Sequence, residues 1–139
     1  ETFEKEPGDD IYANNPVSYL KLDRLPLGQD YGSVIDVLRR GDYFVTSGEV
    51  LIPEARIERD GKGWRYVADL QWTFPLDIIE VVWGDGRRTY RKLVDARGMK
   101  PLHGERITVP FDGRKARWAR LAIWDSAGNG AMTQPQKLP

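Results

Sequence analysis

The sequence predicts a mainly-β fold, an antiparallel sandwich with one short helix near the N-terminus. Three observations carry that prediction. Strand-like segments follow one another from residue 42 to the end, separated by turns rich in Gly, Asp and Asn. Glycine and proline number 14 and 9 among 139 residues, which favours a turn-rich β protein over a helical bundle. Hydrophobic residues make up 40% of the chain, with 5 Trp, 6 Tyr and 4 Phe, so one domain of this length can bury a core.

The elements follow in order. Residues 1–32 are polar and irregular, with turn signals at Pro7-Gly8-Asp9-Asp10 and Asn14-Asn15-Pro16. Val17 to Leu22 alternates and reads as one short strand. Ser33 to Gly41 reads as the helix. Ser33 is its expected N-cap, Val34, Val37 and Leu38 share a face, Arg39-Arg40 suit the C-terminal dipole, and Gly41 stops it. Strands are then expected at Tyr43–Thr46 and at Val50–Glu58, the latter bent at Pro53. In Trp64–Phe74, Trp64, Tyr66, Ala68, Leu70, Trp72 and Phe74 fall on one face. Ile78–Trp83 and Arg87–Val94 form a hairpin around Gly84-Asp85-Gly86. Gly98–Gly104 is a loop, and Arg106–Phe111, Trp118–Trp124 and Ala131–Thr133 complete the set. About seven strands with regular turns indicate an immunoglobulin-like sandwich.

Charge and composition exclude several classes of function. Lys+Arg and Asp+Glu are both 21, so no global basic field exists for nucleic acid. No apolar stretch approaches the ~18 residues of a membrane span. Cysteine is absent, which removes disulfides, thiol nucleophiles and Cys-based metal sites but identifies no compartment; a periplasmic or secreted location stays open. The chain opens Glu1-Thr2-Phe3, with neither Met nor a signal peptide, and reads as processed or as a piece of a longer polypeptide.

The chemistry-bearing residues are few. The single histidine, His103, sits between Pro101 and Gly104 and reads as an ordinary loop residue rather than a catalytic base. Carboxylates are scattered, and a self-contained enzyme would need two of them facing across a cleft. Trp64 and Trp72 share the apolar face of their strand and read as core. Trp118 and Trp124 share a face with Arg120 and Ala122, opposite Ala119, Leu121 and Ile123. That makes Trp118, Arg120 and Trp124 candidates for a ligand or domain-contact surface. Tyr90, between Arg87-Arg88 and Arg91-Lys92, joins them as an aromatic within basic residues; with Arg39-Arg40, these clusters read first as solvated faces. Asp125 to Gly130 lacks the alternating oxygen ligands of a calcium loop and reads as a turn, and Gly84-Asp85-Gly86 precedes no helix and is not a phosphate loop.

Several short motifs resemble one family in their order and spacing. Val37-Leu38-Arg39-Arg40-Gly41-Asp42-Tyr43-Phe44-Val45-Thr46-Ser47-Gly48 resembles the junction in PHP-domain metal-dependent hydrolases of the CehA/McbA type, where a last helix ends and a Phe-Val-Thr strand enters a C-terminal β-sandwich. Pro75 to Gly86, with Glu80-Val81-Val82 before the turn, is similar to a following strand of that family. Trp118–Trp124 followed by Met132-Thr133-Gln134-Pro135 resembles its closing strands. The resemblance covers residues 17–138. Asp42 and Glu49 stand where the family commonly has Arg and Pro.

The resemblance implies that residues 1–41 are the remnant of a preceding catalytic domain and that 42–139 are its accessory sandwich. It implies a non-catalytic role in a bacterial metal-dependent hydrolase: domain packing, shaping of the substrate entrance, dimerisation or surface attachment. No catalytic, cofactor-binding or metal-ligating residue transfers to this chain. A divalent metal is expected only in the upstream domain, whose His-rich motifs are absent here. The implied partner is that domain of the same polypeptide, with a homo-oligomer as a further option. The alternative reading is a carbohydrate-binding sandwich that uses its surface tryptophans.

Overall fold

The computed structural model describes residues 16–28 and 30–138; the turn signals at 7–10 and at Asn14-Asn15 lie outside them. Ten strands and one helix follow in chain order. They are β1 (Val17–Leu20), α1 (Gly32–Arg40), β2 (Tyr43–Thr46), β3 (Val50–Asp60), β4 (Gly63–Trp72), β5 (Leu76–Gly84), β6 (Thr89–Asp95), β7 (His103–Phe111), β8 (Trp118–Asp125), β9 (Gly130–Thr133) and β10 (Gln136–Lys137). All pairings are antiparallel. The larger sheet runs β1-β2-β9-β8-β5-β6, with β10 also on β8, and the smaller runs β3-β4-β7.

Strands β3 to β9 pass between the sheets as three hairpin pairs and a returning strand. β3 and β4 lie in the small sheet, β5 and β6 in the large one, β7 returns, and β8 and β9 finish in the large one. This division of seven strands is immunoglobulin-like. β1, β2 and β10 extend the larger sheet and bring the strands among the described residues to ten; of these only β10 was not expected. The two residues of β10 are polar and too few to show alternation, so pattern alone could not find them.

The period-two pattern of β4 holds as far as Trp72. Trp64, Tyr66, Ala68, Leu70 and Trp72 are all buried, but Phe74 lies past the strand end and is exposed. There the chain bends toward Pro75, and the Thr73 amide bonds to Glu49 O at 3.1 Å while Thr73 O accepts the Leu102 amide at 3.0 Å. The opposing layer supplies Ile79, Val81, Ala119, Leu121 and Ile123. β3 carries an irregular register between Leu51 and Glu54, the bend expected at Pro53.

Two expectations at element ends are corrected. Ser33 does not cap the helix: it lies in the first turn, Tyr31 occupies the cap position, and Asp30 Oδ1 accepts the Gly32 amide at 3.0 Å. Asp30 sits two residues before that amide, the spacing at which a short carboxylate reaches it. His103 is not a loop residue: it opens β7 opposite Trp72, because β4 is long enough to pair with β7 from Trp64 to Trp72. The C-terminal stop is as expected, with Gly41 at φ 74° and the Asp42 amide bonded to Val37 O. Of the expected helix face, Val37 is buried, Val34 half-buried and Leu38 exposed.

One polar cluster joins the two layers. The Tyr66 hydroxyl of β4 meets Thr133 Oγ1 of β9 at 3.0 Å and donates toward Gln136 Oε1 of β10 at 3.2 Å. Thr133 Oγ1 also accepts the Leu121 amide of β8 at 3.0 Å. Burial pushes the Tyr66 phenol up to about 12, because the phenolate would lose its hydration.

Tyr66→Phe is expected to cost about 1–2 kcal/mol, read from chemical denaturation. The pH dependence has a defined sign. The folded state holds the Tyr66 proton up to about 12, whereas the unfolded chain releases it near the ordinary tyrosine value of 10. The contribution is therefore fully present below pH 10 and is lost between 10 and 12, at up to about 1.4 kcal/mol per pH unit. Unfolding curves between pH 9 and 11.5 should fall more steeply for the wild-type chain than for Tyr66→Phe.

Candidate functional site

Strand register decides which candidate residues meet. On β8, Ala119, Leu121 and Ile123 point into the core and are fully buried. Trp118, Arg120, Ala122 and Trp124 take the opposite phase and form the outer face of the larger sheet, as the alternation predicts. Trp118 and Trp124 stand roughly 20 Å apart along the strand.

Each of these indoles covers a glycine on a neighbouring strand. Gly84 of β5 pairs with Trp118, and a Cβ at Gly84 would lie 2.6 Å from Trp118 Nε1. Gly130 of β9 pairs with Trp124, and a Cβ there would lie 2.5 Å from Trp124 Cε3. The missing side chains let the rings settle against the sheet. Trp118 is consequently half-buried, while Trp124 remains 40% exposed.

Between the tryptophans lies an ion-pair row. Glu80 of β5, its side chain mostly covered, approaches Arg120 Nη2 at 3.9 Å and Arg91 Nη1 at 4.0 Å. Arg120 Nη1 also faces Met132 Sδ at 3.8 Å. Val82 and Ala122 on the same face are buried. The outer face is thus apolar at its ends and charge-compensated at its centre.

Tyr90 does not join this face. It pairs with Trp83, which shares the inward phase of Ile79 and Val81. Tyr90 and Lys92 therefore lie on the inner side at the sheet edge, and Arg91 on the outer side. Tyr90 stacks on Trp83 with ring centroids 5.9 Å apart and 20° between planes. Trp83 in turn meets Phe111 of β7 at 5.1 Å. These three rings line an open groove at one end of the sandwich, where the inward-facing rows run out into solvent. Phe111 is buried with the core and Trp83 is half-buried against it; their positions at strand ends, which bring both to the groove, depend on the pairing.

The other motifs resolve into local structure. Trp64 is buried under the Arg59 guanidinium, 4.0 Å from the ring centroid, and Trp72 donates to Lys100 O at 2.8 Å. Asp125 is consumed by its own turn: Oδ1 accepts the amides of Ala127 and Asn129, and Oδ2 accepts Asn129 Nδ2. Asp85 Oδ1 accepts the amides of Arg87 and Arg88 in the β5–β6 turn, which holds its carboxyl below the ordinary range. Arg39 and Arg40 pair with Asp36 and Asp42. His103 is exposed and meets the edge of the Trp72 ring at 5.7 Å.

The carboxylates with resolved shifts are all pushed down by cationic or amide partners. Arg65 and Arg56 act on Glu58, Arg106 on Asp69, and the Arg97 side chain and amide hold Asp95 at about 2. None of these is poised as a general acid, which requires a raised value. Among the described residues no group of three or more His, Cys, Asp or Glu side chains could hold a metal ion, and no helix is long and apolar enough to cross a membrane.

Comparison with protein families, with curated proteins and with solved structures finds no match.

Gly84→Ala or Gly130→Ala should cost about 1–3 kcal/mol, because the new methyl displaces an indole packed on the sheet. The measurement is denaturant unfolding together with tryptophan emission. A red shift without loss of stability would show that the ring lifts freely into water.

Proposed function

We propose that this chain is a non-catalytic accessory β-sandwich that packs against an upstream catalytic domain of the same polypeptide, in a metal-dependent hydrolase of the PHP type. The observation that carries the reading is the concentration of exposed apolar side chains between residues 17 and 38. Leu25 and Leu27 are 80% and 85% exposed, and Val17, Tyr19, Tyr31, Ile35 and Leu38 are exposed beside them in sequence. Single exposed leucines are ordinary; a run of this kind on one segment marks an interaction surface. The segment runs into the Val37–Gly48 motif, where the resemblance puts the passage from catalytic domain to sandwich. The sandwich supplies a rigid body, and β1 and α1 supply the apolar contact.

The test starts with the coding sequence upstream of Glu1. An in-frame region encoding a His-rich metal domain supports the reading. A start codon or a signal peptide directly before Glu1 overturns it. With that domain expressed separately, the present chain should bind it in trans, and the double variant Leu27→Ser/Ile35→Ser should weaken binding at least tenfold, read by calorimetry. Equal affinity of the variant would remove the segment from the interface.

A further inference from the structure

We infer that the groove lined by Tyr90, Trp83 and Phe111 binds an acidic oligosaccharide, a chain of hydroxylated rings bearing sparse carboxylates. The groove consists of two adjoining hollows of about 590 and 340 Å³ that share Trp83, Asp112 and Arg114. That is room for more than one ring, in the range of small-ligand sites, and open enough for a chain to pass through. It is distinct from the outer face of Trp118 and Trp124 and does not rest on the upstream domain.

Three features select the ligand. The first is the aromatic platform. Tyr90 is 42% exposed, and the stack of Tyr90 on Trp83, with Phe111 against Trp83, fixes its plane. A pyranose presents axial C–H groups that settle on such a ring. The second is cationic reach. Lys92 Nζ donates to Pro110 O at 2.6 Å, which holds the ammonium at the rim with donors to spare. Lys62 lies along the first hollow and Lys115 along the second, and neither forms an ion pair among the described residues. The third is the presence of Asp60, Asp85 and Asp112 among these cations. Carboxylates accept hydrogen bonds from sugar hydroxyls but repel a phosphate on every unit of a nucleic acid. An aromatic floor with mixed charges therefore fits a hydroxylated, sparsely anionic chain better than a polynucleotide.

The experiment titrates the 139-residue chain with oligosaccharides of hyaluronan and of unsulfated chondroitin, uronides that carry a carboxylate on every second ring only, following tryptophan emission and heat. Maltotetraose and a single-stranded oligonucleotide of about ten residues serve as comparisons. The expected result is saturable binding of at least one uronide, at least tenfold tighter than maltotetraose or the oligonucleotide. Tyr90→Ala and Lys92→Gln should each weaken it at least tenfold, and Trp124→Ala should leave it unchanged. Lys92→Gln removes only a charge at the rim and keeps the test alive if Tyr90→Ala fails to fold. Binding of neither uronide overturns the inference. So does equal affinity for maltotetraose, tighter binding of the oligonucleotide, or loss of binding in Trp124→Ala with retention in Lys92→Gln.

Discussion

The Tyr66 hydroxyl is where the two sheets are tied by direction rather than by area alone. Face-to-face sheets gain most of their stability from apolar burial, which tolerates small slips of one layer over the other. A buried hydroxyl does not tolerate them, because losing a partner inside the core leaves a desolvated polar group. Tyr66 reaches from β4 to Thr133 and Gln136 on β9 and β10, and Thr133 in turn holds the Leu121 amide of β8. Four strands from both layers are thereby held in one register. Polar satisfaction continues elsewhere: Thr46 donates to Val50 O and accepts the Gly48 amide, and no buried side-chain nitrogen or oxygen among the described residues lacks a partner.

That register sorts the surface. With Ala119, Leu121 and Ile123 of β8 and Ile79 and Val81 of β5 facing inward, Trp118 and Trp124 look outward and Trp83 looks inward. The outer tryptophans lie over Gly84 and Gly130 instead of standing in solvent, so the face they form is shaped by glycines on strands distant in sequence. The sheet edges are guarded by charge and by shortness. Edge strand β3 presents Glu54, Arg56 and Glu58, edge strand β7 carries Pro110, and edge strand β1 has four residues. The exposed apolar residues from Leu25 to Leu38 lie outside these edges.

Much of the candidate surface was legible in sequence, and the reason is periodicity. Alternation along Trp118–Trp124 separated Trp118, Arg120 and Trp124 from Ala119, Leu121 and Ile123, and the structure keeps that separation. Alternation within one strand, however, carries no information about phase relative to another. Tyr90 was grouped with the outer tryptophans from its neighbours in sequence, yet its pairing with Trp83 places it on the other side of the sheet. The groove was illegible for the same reason. Trp83, Phe111 and Lys92 come from three strands, and only pairing and sheet stacking bring them to one end of the sandwich.

Turn chemistry and local patterning belonged to the sequence alone. Gly41 ends the helix, the Asp85 and Asp125 turns close their hairpins, Pro53 bends β3, and the apolar phase of β4 runs from Trp64 to Trp72. Each depends on residues within a few positions of one another, where steric and hydrogen-bonding preferences act directly. The tertiary structure decided the rest: the tenth strand, the early start of β7 at His103, the exposure of Phe74, and the side of the sheet on which Tyr90 lies. Those features depend on which strands become neighbours. Hydrogen bonds and burial between segments tens of residues apart settle that choice, and no local preference encodes them.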